Sequence, residues 1–251
     1  MNRIYNFVII YRRLLLSYKY NLVIIYRRLL LSYKYNKDNF KLKYTENVFE
    51  LIKDINYWTS LESISGPGSN VKNTLQTKKM IEDIIEKYNI KTILDIPCGD
   101  FNWMKTVKLK DCNYFGADIV QSIVDQNSKF YAKENIEFKK LNLTYDCLPK
   151  TDLIICKDCL QHLSNENVIK SLKNLVNSGS QYLLITSYPL TIRNYDIYDG
   201  DYRALNLFLK PFKLNEYLLK KTETGNFELE IDKNLYLFDM TNNAFNKFRI
   251  K

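Results

Sequence analysis

Between Leu75 and Thr241 apolar extended stretches alternate with amphipathic helical ones, and this alternation limits the chain to few architectures. LQTKKMIEDIIEKYN, residues 75–89, sets Leu75, Met80, Ile81, Ile84 and Ile85 on one side at helical spacing. Its final Asn89 suits the left-handed residue that closes a helix. Residues 92–97, 113–119, 136–143, 152–158 and 181–189 read as strands. Helices are expected over 101–107 and 120–132, and Ser164 with Asn167 caps another that carries Val168, Ile169, Leu172 and Leu175. Strands separated by helices pair in parallel and are covered on both faces, as the apolar middle of DLIICKD requires. A strand at 216–224, a turn through Gly225 and Asn226, and a strand at 234–241 follow one another too closely for a crossover. The expected fold is α/β: a Rossmann-like, doubly wound, mostly parallel seven-stranded sheet with an antiparallel edge hairpin.

Ligands of such a sheet bind outside the carboxyl ends of the strands, where the strand order reverses. In chain order those exits carry Asp95 with Cys98, Gly99 and Asp100, then Asp118, Asn142, Asp158, and Ser187 with Tyr188. TILDIPCGDFNW, residues 92–103, occupies the place of a phosphate-binding turn without its glycine spacing. Pro97 has no N–H to donate, Phe101 and Asn102 stand where small residues are needed, and Asp100 would repel phosphate. Asp118, 23 residues after Asp95, suits the two hydroxyls of a ribose. An adenosine ligand with a positive centre and no pyrophosphate fits these residues, and S-adenosylmethionine has those properties. A nicotinamide-dependent oxidoreductase is the alternative within this fold, and a non-catalytic cofactor-binding module is the alternative outside enzymes.

LDIPCGDFNWM, Asp118 in GADIV, LNLTYDCLP and ICKDCLQHLS together resemble the class I S-adenosylmethionine-dependent methyltransferases, and within them a bacterial-type subgroup with PCGDFNWM and DCLxHLS motifs. The later pattern of Asn194, Asp196, Ile197, Gly200, Asp201, Arg203, Leu205, Asn206, Leu207, Pro211 and Phe212 extends the resemblance, which covers about residues 60–240. It implies that Asp95, Cys98 and Gly99 contact the methionine moiety, that Asp118 binds the ribose, and that Asn142 accepts a bond from the adenine amino group between Ile119 and Leu143. Ser65-Gly66-Pro67-Gly68-Ser69 resembles an element that closes over the cofactor's carboxylate, though such a sequence also makes an ordinary turn. Asp158 or His162 is expected to serve as general base for a hydroxyl on a small molecule or glycan. Asp196, Asp201, Arg203 and Asn206 are expected to bind that acceptor.

The remaining organisation comes from charge. Three regions divide the chain: a basic extension at 1–37, a helical and loop segment at 38–74, and the methyltransferase-like domain at 75–251. Arg3, Arg12, Arg13, Lys19, Arg27, Arg28, Lys34 and Lys37 account for all but one of the net +9, so charge alone indicates no nucleic-acid groove on the body. Within the extension NFVIIYRRLLLSYKY is repeated as NLVIIYRRLLLSYKY, and no apolar run is long enough to span a membrane. The repeat is compatible with peripheral contact to an anionic membrane, with a basic arm, or with a duplication that has no role. Five scattered cysteines point to a reducing, cytoplasmic compartment. Cys156 and Cys159 lack the further ligands a zinc site needs, so no metal is expected.

Overall fold

A computed structural model describes residues 45–222, 232–242, 245 and 248. The repeat and the Gly225-Asn226 turn lie outside the described residues. Seven strands form one sheet: β1 Thr92–Asp95, β2 Asn113–Asp118, β3 Ile136–Lys140, β4 Leu153–Cys156, β5 Tyr182–Ser187, β6 Leu219–Thr222 and β7 Asn234–Asp239. Their order is β3-β2-β1-β4-β5-β7-β6. The first five are parallel, whereas β7 runs antiparallel to both β5 and β6. The closing pair does form an antiparallel edge, but β7 inserts between β5 and β6, so the last strand lies inside the sheet rather than at its border.

Side chains alternate across a strand, and here the alternation separates two cores. Ile93, Leu153, Ile155, Leu184, Leu235 and Leu237 belong to one, with Met80, Ile81, Ile84 and Ile85 of helix α2, Leu75–Lys87. Leu94, Ile154, Cys156, Leu183, Ile185, Tyr236 and Phe238 belong to the other, with Val168, Leu172 and Leu175 of helix α4, Asn165–Asn177. Both faces of the sheet are therefore buried, as a parallel sheet requires. Helix α3, Gln121–Tyr131, follows β2, and Asn89 closes the turn after α2 at φ 50.

The helix expected at 101–107 shrinks to one 3-10 turn, Met104–Thr106. Phe101 takes φ 57, outside the helical region, and its ring packs against Tyr114, Tyr131 and Phe138. Burying an aromatic ring gains more than the roughly 1–2 kcal/mol that a left-handed L-residue costs.

Helix α1, Thr45–Asp54, crosses the carboxyl end of the sheet. It is tied at one side by Glu46 to Lys140 at the end of β3 and by Lys53 Nζ to Ser122 Oγ, 2.6 Å. Thr45 Oγ1 donates to Asp199 Oδ2 at 2.6 Å on the other side. Among the described residues no helix is long and apolar enough to cross a membrane.

Candidate active site

The strand order reverses between β1 and β4, and a cavity of about 310 Å³ opens there at the carboxyl ends. Asp95, Cys98, Gly99, Asp118, Ile119, Asn142, Leu143, Asp158 and His162 all line it. The sheet thus gathers the exits of four strands around one space.

Asp95 ends β1 and is 2% exposed, with Oδ2 accepting from Tyr114 Oη at 2.6 Å. Burial pushes its pKa up to about 7, although the Tyr114 bond and the nearby Lys157 charge favour the ionised form. Asp118 ends β2, where its two oxygens accept from Gly99 N at 3.1 Å and Val120 N at 3.0 Å. Burial lifts this carboxyl to about 6 against those amide bonds. At these two neighbouring exits burial outweighs the partners of both acids.

Gly99 joins them at φ 54, a left-handed position where any Cβ would also collide with Ser65 Oγ. Ser65 belongs to the 65–69 strap, whose five residues all line the cavity. Asp100 does not face the cavity, contrary to the repulsive role expected for it. Its carboxylate accepts from Ser63 Oγ at 2.9 Å and Ile64 N at 3.0 Å, and so ties the strap to the first turn. The other objection to a pyrophosphate stands: Pro97 offers no N–H, Gly99 N is held by Asp118, and the only helical residues between β1 and β2 begin at Met104.

Asn142 lies where expected, but its Oδ1 already accepts from Thr144 N at 2.9 Å and Thr144 Oγ1 at 2.7 Å. Both lone pairs are thereby used, so the acceptor assigned to an adenine amino group is taken by the Asn142 turn itself.

At the β4 exit the two candidate bases diverge. Asp158 Oδ2 accepts from Lys157 Nζ at 2.5 Å and Lys233 Nζ at 3.2 Å, while Oδ1 accepts from Gln161 Nε2 at 3.2 Å. Burial would raise its pKa, but the two ammonium groups outweigh burial and hold the carboxyl well below the usual range. An acid so strongly ionised is a poor proton acceptor near neutrality, which corrects the expectation that Asp158 serves as base. His162 is pushed the other way, below its ordinary value, mainly by burial. Its Nδ1 lies 2.9 Å from the Asp201 carbonyl, which can only accept, so Nδ1 carries the proton and Nε2 keeps the lone pair. Trp58 and Tyr202 flank the ring at centroid distances of 5.3 and 5.7 Å.

The four residues expected to bind the acceptor stand outside the cavity lining and serve the fold instead. Asp196 Oδ1 accepts from Asn165 N and Ile197 N. Arg203 is fully buried, donating from Nη1 to the Leu163 carbonyl and from Nη2 to Asn165 Oδ1. Asn206 Nδ2 donates to the Pro189 and Thr191 carbonyls. Asp201 holds His162 through its backbone carbonyl, and Gly200 N donates to the His162 carbonyl at 2.7 Å. The late motif therefore builds the wall that fixes His162.

Sequence reasoning missed Trp58, Tyr202 and Lys157 as lining residues. Lys157 stood within the quoted ICKDCLQHLS motif, whereas the two aromatics carry no spacing signal.

No protein-family model matches the chain, and no curated protein matches it. Solved structures do. N-methyltransferase NodS from Bradyrhizobium japonicum WM9, in complex with S-adenosylhomocysteine, is similar at TM-score 0.53 and 13% identity, over 68% of this chain and 89% of that one. The methyltransferase domain of bacterial CtHen1-C is similar at TM-score 0.50 and 15% identity, over 68% and 98%. These likenesses establish the architecture as the Rossmann-like α/β methyltransferase fold.

Proposed function

We propose that this protein binds S-adenosylmethionine and transfers its methyl group to a hydroxyl of a small molecule or glycan. The observation that carries this reading is the pair of buried, under-compensated acids, Asp95 and Asp118, flanking a turn with no place for a pyrophosphate. NodS, a neighbour of the same fold, holds the demethylated cofactor, which supports the choice of ligand. The donor set fits that ligand: Asp118 would accept from ribose hydroxyls, a carboxylate offering about four acceptor positions, and Asp95 would meet the ammonium of the amino acid. Ile119 and Leu143 would wall the adenine.

The cofactor, when bound, supplies a methyl group made electrophilic by the sulfonium. The chain's own part is alignment and proton removal. His162 Nε2, unprotonated because Nδ1 donates to Asp201, takes the acceptor's hydroxyl proton. Asp158 remains an anion and favours the imidazolium that results.

The test is binding followed by differential scanning fluorimetry. S-adenosylhomocysteine should raise the melting temperature of the wild type and NADH should not. Asp118→Ala should abolish the shift. Stabilisation by NADH instead would replace the reading with an oxidoreductase, and an undiminished shift in the Asp118 variant would remove the ribose assignment.

A further inference from the structure

Resting on the methyl-transfer reading above, we infer that the acceptor is a phenol, its flat ring recognised by the Trp58 and Tyr202 side chains that flank His162. Both residues line the cavity and both are half-buried, so part of each side chain stays open to it. Each is also supported by a neighbour. Gly66, at φ 90, brings the strap so close that a Cβ there would lie 2.9 Å from Trp58 Cβ. Tyr202 meets the fully buried Tyr188 edge-on, with ring centres 6.4 Å apart. Phe49 of α1 adds a third aromatic side chain to the lining. Rings fixed in this way offer a large apolar area to another ring at little further cost in entropy.

A sugar suits these surroundings less well. Its several hydroxyls must exchange water for protein partners, and a bond left unmade costs more than a made one returns. The polar side chains on the elements around the base are already engaged: Gln161 Nε2 donates to Asp158 Oδ1 at 3.2 Å, Thr45 Oγ1 donates to Asp199 Oδ2 at 2.6 Å, and Asp158 Oδ2 accepts from two ammonium groups. A phenol brings one hydroxyl, and one acceptor, His162 Nε2, serves it. Acidity favours the same choice. Burial holds His162 below its ordinary value, which makes it a weak base. A phenol titrates at about 10, whereas an aliphatic hydroxyl lies close to water at about 15.7. A weak base removes the first proton far more readily than the second. The proton passes to Nε2 as the oxygen bonds the methyl carbon, and the electron pair of the broken carbon–sulfur bond stays on sulfur.

The experiment is isothermal titration calorimetry of the full chain saturated with S-adenosylhomocysteine, which keeps a flat probe out of the cofactor's own place. 2-Naphthol should bind this complex and methyl α-glucoside should not. Trp58→Leu should weaken 2-naphthol by roughly tenfold or more, the scale of a lost aromatic pair together with its buried area. Trp58→Phe should restore most of the affinity, which a general loss of structure would not allow. A complex that fails to bind 2-naphthol, or that prefers the glucoside, overturns the inference, as does binding that Trp58→Leu leaves unchanged. If that variant does not fold, Tyr202→Leu decides in the same way: weakened 2-naphthol supports the inference and unchanged binding overturns it. A wild type that binds no S-adenosylhomocysteine sinks the cofactor reading itself, a result distinct from these.

Discussion

Asp158 and His162 lie four residues apart at one strand exit, yet their surroundings give them opposite proton chemistry. Lys157 and Lys233 keep Asp158 ionised against its burial, while burial keeps His162 neutral with Nδ1 committed to the Asp201 carbonyl. On the proposed mechanism His162→Gln should lower kcat by roughly 100-fold or more, the ordinary contribution of a positioned base, without changing cofactor affinity. Asp158→Asn should act through His162: removing the anion lowers the imidazole pKa, so the acid limb of the kcat profile moves to lower pH. Steady-state kinetics from pH 5 to 8 would show it, and an unmoved limb would uncouple the two residues. Stability must be followed in parallel, because the variant leaves two buried ammonium groups without that carboxylate. At this scale the sequence placed the pair correctly at the exit. It could not rank them, since the ranking depends on Lys233, 75 residues away.

Elements differ in how far local pattern determines them. Helix α4 was legible because every requirement is local: Ser164 Oγ accepts from Asn167 N, and Val168, Leu172 and Leu175 recur at helical spacing. Ser164→Ala should cost about 1 kcal/mol in urea denaturation, as loss of an N-cap does. A change below about 0.3 kcal/mol would show that the cap is dispensable, given that Asp199 Oδ1 also holds Ser164 N. The segment at 101–107 was not legible, because Phe101 leaves the helical region to join rings from β2, α3 and β3. The late motif was legible as a pattern but not as a role. Polar residues near a strand exit suggest ligand contact, whereas Asp196, Arg203 and Asn206 satisfy backbone groups of the wall around His162.

Across the whole molecule, the buried acids make stability depend on pH in a direction opposite to that of most carboxylates. Asp95 at about 7 and Asp118 at about 6 both lie above the ordinary carboxylate value of 3.8. Between those limits the folded chain binds more protons than the unfolded one, so stability falls as pH rises. Asp158 and His162 work the other way: the depressed pKa of Asp158 places its effect below the ordinary carboxylate value, outside this window, whereas His162, lowered from 6.5 by burial, opposes the acids only below that value and is one group against two. The ligand-free protein should therefore melt at progressively lower temperature from pH 5 to 7.5, and Asp95→Asn should flatten that slope. A cationic ligand that favours ionised Asp95 should bind more tightly as pH rises through 7, releasing a proton below it. The stabilisation given by S-adenosylmethionine should consequently grow across the same window, and calorimetry in buffers of different ionisation enthalpy should register the proton. A melting temperature that climbs with pH would mean that these acids are already compensated. The cavity would then have no electrostatic reason to prefer a cation, and the reading of the strand exits as a sulfonium and ammonium site would lose its physical basis.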